Sequence, residues 1–148
     1  MMGLIHFFNE NCQFVLRKKK LTIKWIKAVV KAENFGTGEI NIVFCDDEYL
    51  SRLNFIYLKH NTLTDILSFP YSDVKEIIQG DIFISIERVR ENAINFKVKF
   101  EDELRRVIIH GILHFLGYRD STKKEKDEMR QKESVCLLAF EEMVRETK

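Results

Sequence analysis

Apolar residues follow two rhythms along this chain, and the rhythms divide it into elements. At Ile40, Ile42 and Phe44 they take every second position, which predicts a strand. Residues 4–8, 65–69 and 81–85 are short, largely apolar runs that read as three further strands. Between residues 19 and 33 the spacing changes. Trp25, Ile26, Val29 and Val30 recur at helical spacing, with Lys24, Lys27 and Lys31 opposite, which predicts an amphipathic helix. Tyr49, Leu50, Leu53 and Tyr57 predict a second helix, with Asp46 or Asp47 as its cap. Ser85 is placed to cap a third, running through Ala93 and Phe96. Residues 101–116 read as a fourth, whose first turn holds Glu101, Asp102 and Glu103 as the helix dipole favours. A fifth runs from about residue 124 to 145.

These elements do not alternate strictly as strand, helix and parallel strand. The pattern predicts an α+β fold: a small mixed sheet of about four strands packed with about five helices. There is no repeat, no low-complexity stretch and no linker, and Pro70 is the one proline. One domain over residues 1–148 is expected, a length that suits one sizeable core.

Composition narrows the partners. The chain is 45% hydrophobic and 32% charged, as soluble globular proteins are. It carries 24 Lys plus Arg against 23 Asp plus Glu, so any nucleic-acid or membrane contact must use a local patch. Basic clusters occur at residues 17–20, at Arg88 with Arg90, Lys97 with Lys99, Arg105 with Arg106, and Lys123, Lys124 and Lys126. Each alone is more often a solvated helix end or face. Cys12, Cys45 and Cys136 are odd in number, widely spaced and set among apolar neighbours, which predicts buried free thiols in a reducing compartment. No apolar run approaches the ~20 residues of a membrane helix, and the first residues lack a signal-peptide pattern. A cytoplasmic protein is expected.

The chemistry sits in the fourth helix. His110 and His114 are four residues apart in His110-Gly111-Ile112-Leu113-His114-Phe115-Leu116-Gly117-Tyr118-Arg119-Asp120. Two imidazoles so spaced share a helix face, about 5–6 Å apart at Cβ. Gly117 can end the helix in a left-handed cap, and Asp120 can fold back as a third ligand. Three protein ligands with a fourth position open describe a catalytic zinc. The carboxylate also admits manganese or iron. The spacing is that of HExxHxxGxxH, with Gly111 for the glutamate and Asp120 for the third histidine. That glutamate is the base of zinc peptidases, so peptide hydrolysis would need a base from elsewhere. Asp65, Ser68 and Asp81 are polar residues in strand-like runs, either orienting a histidine or making strand-end hydrogen bonds. Met129 reads as an ordinary core methionine.

The segment His110 to Tyr118 resembles the signature of the YbeY endoribonucleases, bacterial ribosomal RNA maturation factors. Two further blocks agree. Leu53-Asn54-Phe55-Ile56-Tyr57 with residues 64–70 resembles the family's LNxxY…TDVLSFP segment, and residues 80–85 resemble its GDIxIS strand. Arg119 and Asp120 stand where the family signature continues with aspartate and a third histidine. Leu58 stands where the family usually has an arginine, Lys59 and His60 being the nearest cationic residues, and Leu63 where many members have proline.

The resemblance implies a single-strand-specific endoribonuclease in small-subunit ribosomal RNA processing and ribosome quality control. It also implies one catalytic zinc, held here by His110, His114 and Asp120. Its partners would be single-stranded RNA and the ribosome or its assembly factors. Asp65, Ser68, Tyr118, Lys59 and His60 are then candidates for supporting the ligands or touching RNA. Tyr57, Phe69, Tyr71 and Tyr118 could stack unpaired bases, although core packing is the default for Phe69. The general base is not identifiable from sequence. Alternatives are a zinc peptidase or other metal hydrolase, and a ribosome-associated RNA-binding factor with a structural metal. An iron oxygenase with two histidines and a carboxylate ranks last, since its scaffold does not match this helix-borne spacing.

Overall fold

The computed structural model describes residues 3–59, 64–71 and 76–147. His60 and Leu63 therefore lie outside the described residues. Four strands and five helices are present among the described ones: β1 (Leu4–Asn9), α1 (Lys19–Ala32), β2 (Gly36–Cys45), α2 (Asp47–Leu58), β3 (Ile66–Pro70), β4 (Ile77–Ser85), α3 (Ile86–Phe96), α4 (Phe100–Phe115) and α5 (Lys123–Glu146). β2 and β4 begin four residues earlier than the alternating pattern predicts. Their added residues include Gly36, Gly38, Gln79 and Gly80, which give no apolar signal, and a bulge between Thr37 and Ile40 breaks the register.

Local chemistry accounts for most helix ends. Asp46, not Asp47, caps α2 by accepting from the Tyr49 amide at 2.8 Å. Asp47 is instead held by the Ser85 hydroxyl at 2.6 Å and by Arg88 at 3.1 Å. Ser85 caps α3 through the Arg88 amide at 3.2 Å. Thr122 and Glu125 form a capping box at the start of α5.

The sheet order is β1-β2-β4-β3, with β1, β2 and β4 parallel and β3 antiparallel to β4. The sheet has two unequal faces. One carries Ile40, Ile42, Phe44, Ile82 and Ile84 into the main core with Trp25, Ile26, Ile108 and Ile112. The other carries Cys45, Leu67, Phe69 and Phe83 into a small cluster under Leu50 and Leu53 of α2. α1 and α5 are tied by the buried Trp25 indole, whose N–H donates to the Cys136 carbonyl at 2.8 Å.

Gly111 sets how close α4 lies to the sheet. A Cβ there would stand 3.0 Å from both Ile66 Cδ1 and Ile82 Cδ1. The glycine thus faces strands rather than ligand space, and a glutamate at this position would aim into the core.

The three cysteines are free. Burial pushes the Cys45 thiol up to about 12 and that of Cys136 up to about 11. Among the described residues no helix is long and apolar enough to cross a membrane.

Candidate metal centre

His110 and His114 leave α4 one turn apart, just before the helix ends. The Gly117 amide donates to the His114 carbonyl and the Tyr118 amide to the Leu113 carbonyl, each at 3.0 Å. Gly117 sits at φ 103°. This is a Schellman ending, which the glycine makes accessible. The chain reverses and brings Asp120 back over the histidines.

Asp120 Oδ2 lies 3.2 Å from His110 Nε2 and 3.4 Å from His114 Nε2. The two Nε2 atoms are 3.1 Å apart. Two ligand atoms each about 2.0–2.1 Å from one tetrahedral zinc stand about 3.3 Å from one another. All three edges therefore fit a single small cation. The donor set, two imidazoles and a carboxylate, also suits manganese or iron.

The ligands are supported from outside. Glu133 Oε2 is 2.6 Å from His110 Nδ1. A carboxylate only accepts, so Nδ1 carries the proton and the Nε2 lone pair faces Asp120 and His114. Glu133 Oε1 accepts from Arg106 Nη1 at 2.9 Å, and Arg106 Nε lies 3.6 Å from Glu103. The Tyr118 backbone hydrogen-bonds the His114 ring. The Tyr118 hydroxyl donates to Glu33 at 2.8 Å, and Glu33 pairs with Lys132 at 3.1 Å. The turn that delivers Asp120 is thus pinned to α1 and α5 together.

Burial opposes charge on His110, but the Glu133 hydrogen bond and the Glu133, Asp120 and Asp65 charges outweigh it and raise its pKa. Burial, and then the nearby His110, lower that of His114. Burial also raises the Asp65 carboxyl, against the pull of His110.

A cavity of about 320 Å³ opens beside His110, and Asp65, Arg106, Asp120, Met129 and Glu133 are among its walls. Met129 is a core methionine, 2% exposed, that also reaches this wall. Asp65 accepts from Asn92 at 3.3 Å. Ser68 pairs with Ile82, on the sheet face that Ile66 presents to Gly111. Lys59 is exposed and ends α2 in the left-handed region, at φ 58°.

The aromatic candidates divide. Tyr118 packs against the main core, its hydroxyl engaged by Glu33. Tyr57 is exposed and meets Phe69 edge-on at 5.7 Å, and Tyr71 accepts from Asn41 at 3.3 Å. By strand alternation Phe69 and Tyr71 share the other face of the sheet, away from the histidines.

Glu133 is the metal-supporting residue that sequence reasoning missed, and Arg106 was singled out only as part of a basic cluster. A signal existed for Glu133. The buried positions of α5 are Met129, Glu133, Cys136 and Phe140. A carboxylate inside an apolar helical stripe needs a partner.

Comparisons with known proteins point to one family. The sequence model described as endoribonuclease YbeY matches residues 5–141. A protein named endoribonuclease YbeY from Flavobacterium psychrophilum is 51% identical over 90% of this chain and 94% of its own length. One of the same name from Christiangramia forsetii is 48% identical over 93% of this chain and 95% of its own. The solution structure of a Thermotoga maritima protein superposes with TM-score 0.66 at 29% identity, covering 97% of this chain and 93% of that one.

Proposed function

The chain belongs to the YbeY endoribonuclease family, and from that premise we propose that it is a metal-dependent, single-strand-specific endoribonuclease. Its substrate in this reading is ribosomal RNA, matured at the small subunit and surveyed for ribosome quality, in the cytoplasm. The whole chain acts as one hydrolase domain. The observation that carries the proposal is the convergence of His110 Nε2, His114 Nε2 and Asp120 Oδ2 at 3.1–3.4 Å.

One zinc ion is the metal we assign, with manganese or iron as substitutes that the carboxylate tolerates. When bound, the ion would polarise a phosphoryl oxygen and acidify a water molecule. The residues supply the rest. Glu133 keeps the His110 proton on Nδ1. Arg106 neutralises Glu133 and Glu103 at the cavity wall. Asp65 faces the same cavity beside His110, and it is the group we assign to accept a proton from the attacking nucleophile. The peptidase alternative lacks a base at position 111, where Gly111 faces Ile66 and Ile82.

The test is cleavage of a single-stranded RNA by rigorously nuclease-free wild type beside His114→Ala. Wild type is expected to cut and the variant to lose the activity. Equal cleavage by both would reject this site.

A further inference from the structure

α1 is charged on one side only. Residues 17–31 hold seven basic residues and no acidic one, while the remaining chain holds 17 basic against 23 acidic. A net charge of +1 therefore conceals a strong segregation. Within α1, Lys20, Lys24, Lys27 and Lys31 stand at i, i+4, i+7 and i+11, a single stripe. All four are exposed, opposite the buried Thr22, Trp25, Ile26, Val29 and Val30. The stripe is about 16 Å long at 1.5 Å per residue.

This stripe is electrostatically unfavourable by itself. Like charges three and four residues apart repel along a helix. Lys19 and Lys20 stand in a first turn that has no acidic residue, where the dipole disfavours cations. The helix start has no side-chain cap, Lys18 being left-handed at φ 55°. No described carboxylate pairs with any lysine of the stripe: Arg17 takes Glu101, and Glu33 is held by Lys132. The α4 first turn shows the opposite balance, carrying Glu101, Asp102 and Glu103. A surface with four aligned, unneutralised cations fits a polyanion with regularly spaced charges.

We propose that the Lys20–Lys24–Lys27–Lys31 stripe is a docking surface for the phosphate backbone of the RNA substrate. It is separate from the metal centre, but Glu33, the C-cap of α1, holds Tyr118 two residues before Asp120. RNA lying on the stripe would thus approach the site along one helix. The inference rests on the proposed nuclease function for its choice of polyanion.

The experiment measures binding of a fluorescent single-stranded RNA by anisotropy at several salt concentrations, its integrity checked by gel. The metal-loaded wild type is compared with a quadruple Lys→Gln variant of the stripe and a quadruple Lys→Arg variant. For single strands, log affinity falls with log salt by about 0.7 per phosphate neutralised, so the Gln variant should lose about 3 from the slope. The Arg variant should keep the wild-type slope. Both should cut a short RNA too small to span stripe and site. Because the readout is binding, an inactive wild type would reject the nuclease reading and still test the stripe. An unchanged slope in the Gln variant overturns the proposal. So does wild type that binds phosphatidylserine vesicles but not RNA, which would make the stripe a membrane surface.

Discussion

Glu133 Oε2 and His110 Nδ1 stand 2.6 Å apart across 23 residues of sequence. The contact fixes the tautomer and direction of a metal-facing ring. Outer partners of this kind are worth about 10–100-fold in metal affinity. Glu133→Gln is expected to weaken zinc binding by that order, measured by competition with a chromogenic chelator. Undiminished affinity would mean that His110 is oriented without it.

Asp65→Asn separates chemistry from binding. With the proton acceptor removed, kcat should fall about 10²–10⁴-fold while metal stoichiometry stays that of wild type. Loss of metal together with activity would instead make Asp65 a support for the ligands.

Gly111→Ala tests the close approach of α4 to the sheet. Overpacking costs about 1–3 kcal/mol, and the gain in helix propensity returns about 1 kcal/mol. A net loss of up to about 2 kcal/mol is expected by denaturant unfolding. Ile82→Val removes one of the crowding methyls, so the double variant should lose less than the two single losses added. Simple additivity would show that the contact is not the cause.

Glu103 is 3% exposed, and burial raises its pKa above the usual 4.5 despite Arg106 at 3.6 Å. Its folded state therefore holds a proton more tightly than its unfolded state. The stability it contributes is full below about 4.5 and is lost as pH rises through the folded value. Unfolding of Glu103→Gln followed from pH 4 to 8 should show a shallower fall than wild type. A parallel fall would assign the dependence to other groups.

The helices were legible because their apolar stripes, caps and stops are local. Ser85 and Gly117 do what their sequence positions suggest. The HxxxHxxGxxD spacing likewise foretold which three side chains converge, since one helix and one turn set their distances. The supports could not be read the same way. Arg106 is one charged residue among several on α4, and its role depends on α5 arriving beside it. The ambiguity between Asp46 and Asp47 was resolved by Ser85 and Arg88, some forty residues downstream. The orientation of Tyr118 depends on Glu33, 85 residues upstream.

The Trp25–Cys136 hydrogen bond spans 111 residues. A ribosome makes a chain from its N-terminus, at about 5–20 residues per second. α1 must therefore wait several seconds for the carbonyl that receives its indole, and His110 waits for Glu133. Ligands and supports come together only once α5 has been made, so the centre is assembled after the elements that carry its ligands rather than with them.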